Sequence, residues 1–189
     1  MRIYVSGAWL EQHERARPVM ERLRTAGFII TQDWTRPKPP EGEKSHPDAK
    51  LTKEQRVQFA GENFAGVLAA DVVLVLVPST DTSYGSWVEL GMALAHQKWL
   101  DRVQKFVPGY QHTLHVVAAG EAVHKSLFTE LVDVVCQTDD EAVAYLALYR
   151  EQAAKRLRNH MQNAGFKQVY AQETPRPLKG PEPPARGQR

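Results

Sequence analysis

Residues 71–77, DVVLVLV, constrain the fold more than any other stretch of the chain. Six consecutive valines and leucines leave a strand no polar side to turn to water. Such a strand is buried on both faces, which in a compact domain means a parallel sheet covered by helices above and below. Parallel neighbours need long crossover connections, so the rest of the chain should alternate strand and helix. Residues 2–6 (RIYVS) read as a first strand ending at Gly7. Residues 11–26 carry Val19, Leu23 and Ala26 at helical spacing, with Gly27 as a stop. Residues 28–31 (FIIT) form a second strand candidate, and 115–119 and 133–137 two more.

Helices are predicted over 51–70, with Val57, Phe64 and Leu68 on one side, from 85 to about 97, and from 139 to about 160. Asp139, Asp140 and Glu141 occupy the favourable first turn of the last one. The fold class is therefore α/β, with a mainly parallel sheet of about five strands and helices on both faces, doubly wound in the flavodoxin or Rossmann manner. In such sheets ligands bind outside the carboxyl ends of the strands, which gathers residues 6–9, 31–34 and 78–89 around one pocket. No Gly-x-Gly-x-x-Gly follows the first strand and no phosphate-loop motif is present, so neither dinucleotide oxidoreduction nor P-loop chemistry is supported.

Residues 34–50 are polar and hold Pro37, Pro39, Pro40 and Pro47. A loop of that length is often functional, for example as a lid. The 189 residues suit one domain over 1–165, followed by a Pro/Gly-rich tail over 166–189 that is expected to be disordered. The net charge of +2 hides an asymmetry: from Lys155 onward eight basic residues face two acidic ones, so the body is acidic and the tail basic. The tail is expected to be a solvated extension, the alternative being contact with nucleic acid or an acidic partner. Cys136 is the only cysteine, and no apolar run approaches the roughly 20 residues of a membrane span. A cytoplasmic protein without membrane association is the expectation.

Glu89 follows Ser86 by three residues at the start of a predicted helix. That spacing fits a capping box, in which Ser86 and Glu89 satisfy each other's backbone amides. It also fits a nucleophile, because a helix N-terminus favours an ionised carboxylate. Gly85 removes bulk where a ligand would approach, and free amides nearby suit an anion such as phosphate.

Tyr4-Val5-Ser6-Gly7-Ala8-Trp9, the strand opened by Asp71, and Ser83-x-Gly85-Ser86-x-x-Glu89-Leu90-Gly91 together resemble the nucleoside 2-deoxyribosyltransferase superfamily, over about residues 1 to 148. That superfamily includes base-exchanging transferases and N-hydrolases of nucleoside 5′-monophosphates. The resemblance implies dimers or larger oligomers and a reaction needing neither metal nor other cofactor. It makes Glu89 the nucleophile on the anomeric carbon, with Tyr4 positioning it and Ser6 and Gly7 on the floor of the sugar site. The seven histidines show no metal-ligand spacing.

Two departures from the family pattern bear on substrate. Where relatives carry an aspartate that helps the leaving base, this chain has Asn63, whose amide hydrogen-bonds but cannot donate a proton as an acid. Six residues before the nucleophile stands Ser83, as in the monophosphate hydrolases, where transferases place an aspartate. Leu10, by contrast, occupies the place of a hydrolase arginine, leaving Arg15 or a partner subunit to supply positive charge. Trp9, Trp34 and Trp87 fall on the pocket rim, to stack a base or to pack as apolar bulk. Asp33 reads the base edge or serves as a turn residue.

The leading expectation is an N-glycosidase acting on a (deoxy)nucleoside 5′-monophosphate. The alternatives are deoxyribosyl transfer between free nucleosides, hydrolysis of a nicotinamide riboside linkage such as that of NAD, and a catalytically silent nucleotide-binding module.

Overall fold

The computed structural model describes residues 1–35, 51–78, 84–107, 109–110 and 112–163, without the side chains of Leu10, Gln12 and Lys125. Most of the 34–50 loop, Ser83 and the 166–189 tail lie outside the described residues. Five strands, β1 (Arg2–Ser6), β2 (Ile29–Ile30), β3 (Val72–Leu76), β4 (His115–Ala119) and β5 (Val134–Cys136), form one sheet in the order β2-β1-β3-β4-β5. All four pairings are parallel. This is the flavodoxin-like doubly wound order, in which the chain reverses direction across the sheet between β1 and β3.

The 71–77 run takes the centre, and every residue of β3 is buried. Side chains alternate across the pleat. Ile3, Val5, Val72, Leu74 and Leu76 enter one core with Val19, Met20 and Leu23 of α1 (Arg17–Thr25) and Ala142, Val143 and Leu146 of α4 (Asp139–Asn163). Tyr4, Val73 and Val75 face the other core, with Val67 of α2 (Lys53–Leu68) and Leu90, Ala93 and Leu94 of α3 (Tyr84–Phe106). The register sets Tyr4 beside Val73 and Ser6 beside Val75, so two polar side chains of β1 point at the α2–α3 layer.

The chain divides into a compact unit, Met1–Glu151, which holds the sheet and α1 to α3, and a second unit, Gln152–Arg189. The described part of the second unit, 152–163, is the end of α4.

Several elements differ from the sequence reading. The helix expected over 11–26 is a 3₁₀ turn at Trp9–Glu11, a wider π turn at Gln12–Ala16, and only then α1. Pro18 in the first turn of α1 has no N–H to bond back to residue 14, so a regular α-ladder cannot run through it. Gly27 does end α1: at φ 85° it lets the Phe28 amide bond back to the Leu23 carbonyl at 3.0 Å. β2 and β5 are shorter than expected, and Asp133 leaves its strand to accept from the Val116 amide and Gln97 through Oδ2, both at 2.7 Å. α3 runs on to Phe106, because good helix formers continue until Pro108.

The apolar side of α2 faces outward. Val57 is 65% and Phe64 50% exposed, and the buried residues of this helix are Gly66 and Val67. A capping box at Thr52 and Gln55 starts the helix.

Candidate active site

Helix α3 begins at Tyr84, so Ser86 lies inside its first turn rather than at the cap, and Glu89 sits in the second turn. The capping-box pairing of these two is thereby displaced. The Glu89 carboxylate points at the sheet and is 9% exposed. Its Oε1 accepts from the Tyr4 hydroxyl at 2.7 Å and from the Asn63 side-chain amide at 3.1 Å. Its Oε2 accepts from the Ser6 hydroxyl at 2.6 Å. Two donors come from β1 at a two-residue step, which the pleat places on one face. The third comes from α2, in the neighbouring layer.

Burial raises the Glu89 pKa above the ordinary glutamate range, and the hydrogen bonds from Ser6, Tyr4 and Asn63 pull against that rise. Burial, followed by the charge of Glu89, pushes the Tyr4 phenol far up, so it stays protonated and can only donate to the carboxylate. A carboxylate oxygen offers about two acceptor directions. Oε1 uses both, whereas Oε2 takes one hydrogen bond among the described residues.

The other residues singled out by sequence are placed as follows. Gly7 ends β1, and a Cβ there would lie 3.5 Å from the Trp34 ring. Trp34 is half-buried against both cores, and its indole N–H donates to the Val5 carbonyl at 2.6 Å. Trp9 is half-buried in the 3₁₀ turn, and Trp87 packs on the α2–α3 core. Gly85 is exposed at the start of α3, with nothing among the described residues within 4 Å of an added Cβ. Asp33 is turned to the protein itself: Oδ2 takes Arg24 at 2.7 Å, and Oδ1 takes the Thr35 hydroxyl at 2.6 Å and its amide at 3.3 Å. Glu62, next to Asn63, points away to Gln32 and Gln58.

Arg15 does not offer a free cation. Its five N–H groups go to Asp139 (two bonds of 2.8 Å), Glu11 (2.9 Å), the Val77 carbonyl (2.7 Å) and the Ala119 carbonyl (3.1 Å). Burial opposes its charge, but the bonds to Asp139 and Glu11 outweigh burial and raise its pKa. Arg15 ties the ends of β3 and β4 to the start of α4, which is a scaffolding task. A cleft of about 570 Å³ opens beside it, lined by Glu11, Glu14, Arg15, Gly120, Glu121 and Asp139, and none of Tyr4, Ser6, Asn63 or Glu89 borders it. Among the described residues, no group of three or more His, Cys, Asp or Glu side chains could hold a metal, and no helix is long and apolar enough to cross a membrane.

Gly66 is a residue of this site that sequence reasoning missed. It lies one turn after Asn63, and an added Cβ would come within 2.9 Å of the Tyr4 ring. A glycine inside a helix carries no signal of a ring 62 positions away.

The model of the family described as nucleoside 2-deoxyribosyltransferase matches residues 3–128. No curated protein matches the chain. Among solved structures, the Clostridium botulinum CMP N-glycosidase BcmB matches 79% of this chain and all of its own, at 15% identity and a TM-score of 0.43. With two thirds of its length matched by the family model, and with Tyr4, Ser6, Asn63 and Glu89 all inside that match, this chain belongs to the nucleoside 2-deoxyribosyltransferase family.

Proposed function

We propose that the protein is an N-glycosidase that cleaves the base–sugar bond of a nucleoside 5′-monophosphate through a covalent glycosyl-Glu89 intermediate. The observation that carries this reading is a buried carboxylate held by three uncharged donors, with a single one of them on Oε2 among the described residues. A neutral cradle keeps the oxygen fixed without quenching its charge, as a nucleophile requires. Glu89 Oε2 bonds to the anomeric carbon as the carbon–nitrogen bond breaks, and the departing electron pair stays with the base. A pyrimidine or purine then takes a proton from water, since Tyr4 is held protonated and Asn63 has no acidic proton. Water then attacks the anomeric carbon from the face the base has left, opposite Glu89, and frees the carboxylate, so two inversions give net retention.

The phosphate reading rests on Ser83 and on the amides at the start of α3, where Gly85 is exposed. Because Glu89's partners include no acid, we keep a second reading, a cationic nicotinamide riboside, whose base leaves neutral without protonation. Incubation with nucleosides, their 5′-monophosphates and NAD, each with and without a second free base, separates these. The expected result is release of base from a monophosphate with no new nucleoside formed. Its rate should climb with pH along an acid limb displaced above the ordinary glutamate range, as burial of Glu89 demands. Release from no substrate would leave only a silent binding module.

We further propose a cytoplasmic homo-oligomer formed through the outer face of α2 and α3. Tyr84, Val88, Trp99 and Phe106 line the side of α3 opposite the buried Ala93, Gln97 and Leu100, and Val57 and Phe64 of α2 are exposed as well. An antiparallel pair of α3 helices centred near residue 93 sets Val88 of one copy against Trp99 of the other, a self-complementary contact. Val88→Glu should convert the assembly to monomers in sedimentation, and a wild-type protein that sediments as a monomer overturns the interface.

A further inference from the structure

Gly66 has no room for a side chain. A Cβ would lie 2.8 Å from the Cβ of Gln32 and 2.9 and 3.0 Å from Cδ2 and Cε2 of the Tyr4 ring. Carbon atoms prefer separations of about 3.5–4.0 Å, so helix α2 would have to lift by several tenths of an ångström. Neither neighbour can yield in its place. Tyr4 is fully buried in β1 with its hydroxyl on Glu89, and the Gln32 Cβ is the rigid root of its side chain.

The same helix carries Asn63, three residues earlier and on the same face. Its bond to Glu89, 3.1 Å, is the longest of the three and the one supplied from outside the sheet. Tyr4 and Ser6 reach the carboxylate from β1 and owe nothing to where α2 sits. Gly66 and Val67 are the buried residues of α2, so the helix meets the sheet where the glycine lies against the tyrosine ring.

We propose that Gly66 is a positioning residue: the close seat of α2 on the Tyr4 ring delivers the Asn63 amide to Glu89 Oε1. The inference rests on the reading of Glu89 as the reacting carboxylate. The glycine is otherwise a liability, since alanine is the better helix former. Gly61, exposed on the same helix with nothing among the described residues within 4 Å of an added Cβ, supplies the control for helix preference alone.

The test follows the Glu89 carboxyl by carbon-13 NMR titration in the full chain, alongside base release. The hydrogen bond from Asn63 lowers the Glu89 pKa, so its loss should move the titration and the acid limb to higher pH. Gly66→Ala and Asn63→Ala should both do this and slow base release by about tenfold on the acid side. The double variant should go no further than Asn63→Ala alone, and Gly61→Ala should change nothing. Asn63→Gln, one methylene longer, should return the titration of Gly66→Ala towards wild type. If Gly66→Ala does not fold, Val67→Leu lifts the same helix by overpacking and should shift Glu89 in the same direction. An unshifted titration in the folded lifted-helix variant, or additive shifts in the double variant, overturns the proposal. Shifts as expected, with no base released by wild type, would instead sink the glycosidase reading and leave the positioning role standing.

Discussion

Glu89→Gln should lower base release by about 10³-fold or more, the scale on which removal of a covalent nucleophile is felt. The substitution suits the site. The glutamine oxygen can accept from Tyr4 and Asn63 as Oε1 does, and the Ser6 hydroxyl can rotate to accept from the new amide. The same variant should melt higher than wild type at neutral pH. The folded protein raises the Glu89 pKa, so below the unfolded chain's carboxylate range both states hold the proton and no penalty exists. As pH rises through the raised value, wild type loses stability that glutamine does not lose. The gain in melting temperature should therefore be full at neutral pH and fade towards acid. Unchanged base release would remove Glu89 from the mechanism, and a melting gain that grows towards acid would contradict its burial as an ionised group.

Arg15→Met should destabilise the fold by about 2–3 kcal/mol in chemical denaturation, reduced from the fully buried case because the side chain retains some exposure. Methionine fills a similar length but removes the hydrogen bonds that Arg15 gives to Asp139, Glu11 and two strand-end carbonyls. Lysine should rescue little, since its three rotatable donors cannot reproduce a planar five-donor fork. The KM for a monophosphate should stay within a few-fold of wild type in the folded variant. A selective rise for the monophosphate over the free nucleoside would return Arg15 to the substrate site.

The fold was legible because its signals are local. The 71–77 run needs both faces covered, and a chain alternating strand and helix has few ways to do that. Ser6 and Glu89 are readable from a strand end and a helix start, whereas Tyr4 enters only through the resemblance to the family and Asn63 as a departure from its pattern. What was not legible depends on distant partners. Arg15 reads as a spare cation until Asp139, 124 positions away, is beside it. The apolar side of α2 reads as a core face, yet the helix seats on the sheet through Gly66 and Val67. Periodicity states that a helix has an apolar side but not which neighbour receives it. The irregular turns before α1 needed the effect of Pro18 on the preceding residues.

The two β1 donors to Glu89 stand 83 and 85 positions before it in the chain, and they reach it only when β1 lies against β3 beneath α3. Closing that central pair is among the costlier steps in folding such a topology, because its contacts are far apart along the chain. The proton affinity of one side chain is therefore tied to long-range closure: before β1 docks, Glu89 titrates as an ordinary exposed acid, and afterwards as a buried one. Stopped-flow proton uptake near the acid limb would time that docking during refolding, using the candidate nucleophile as its own clock.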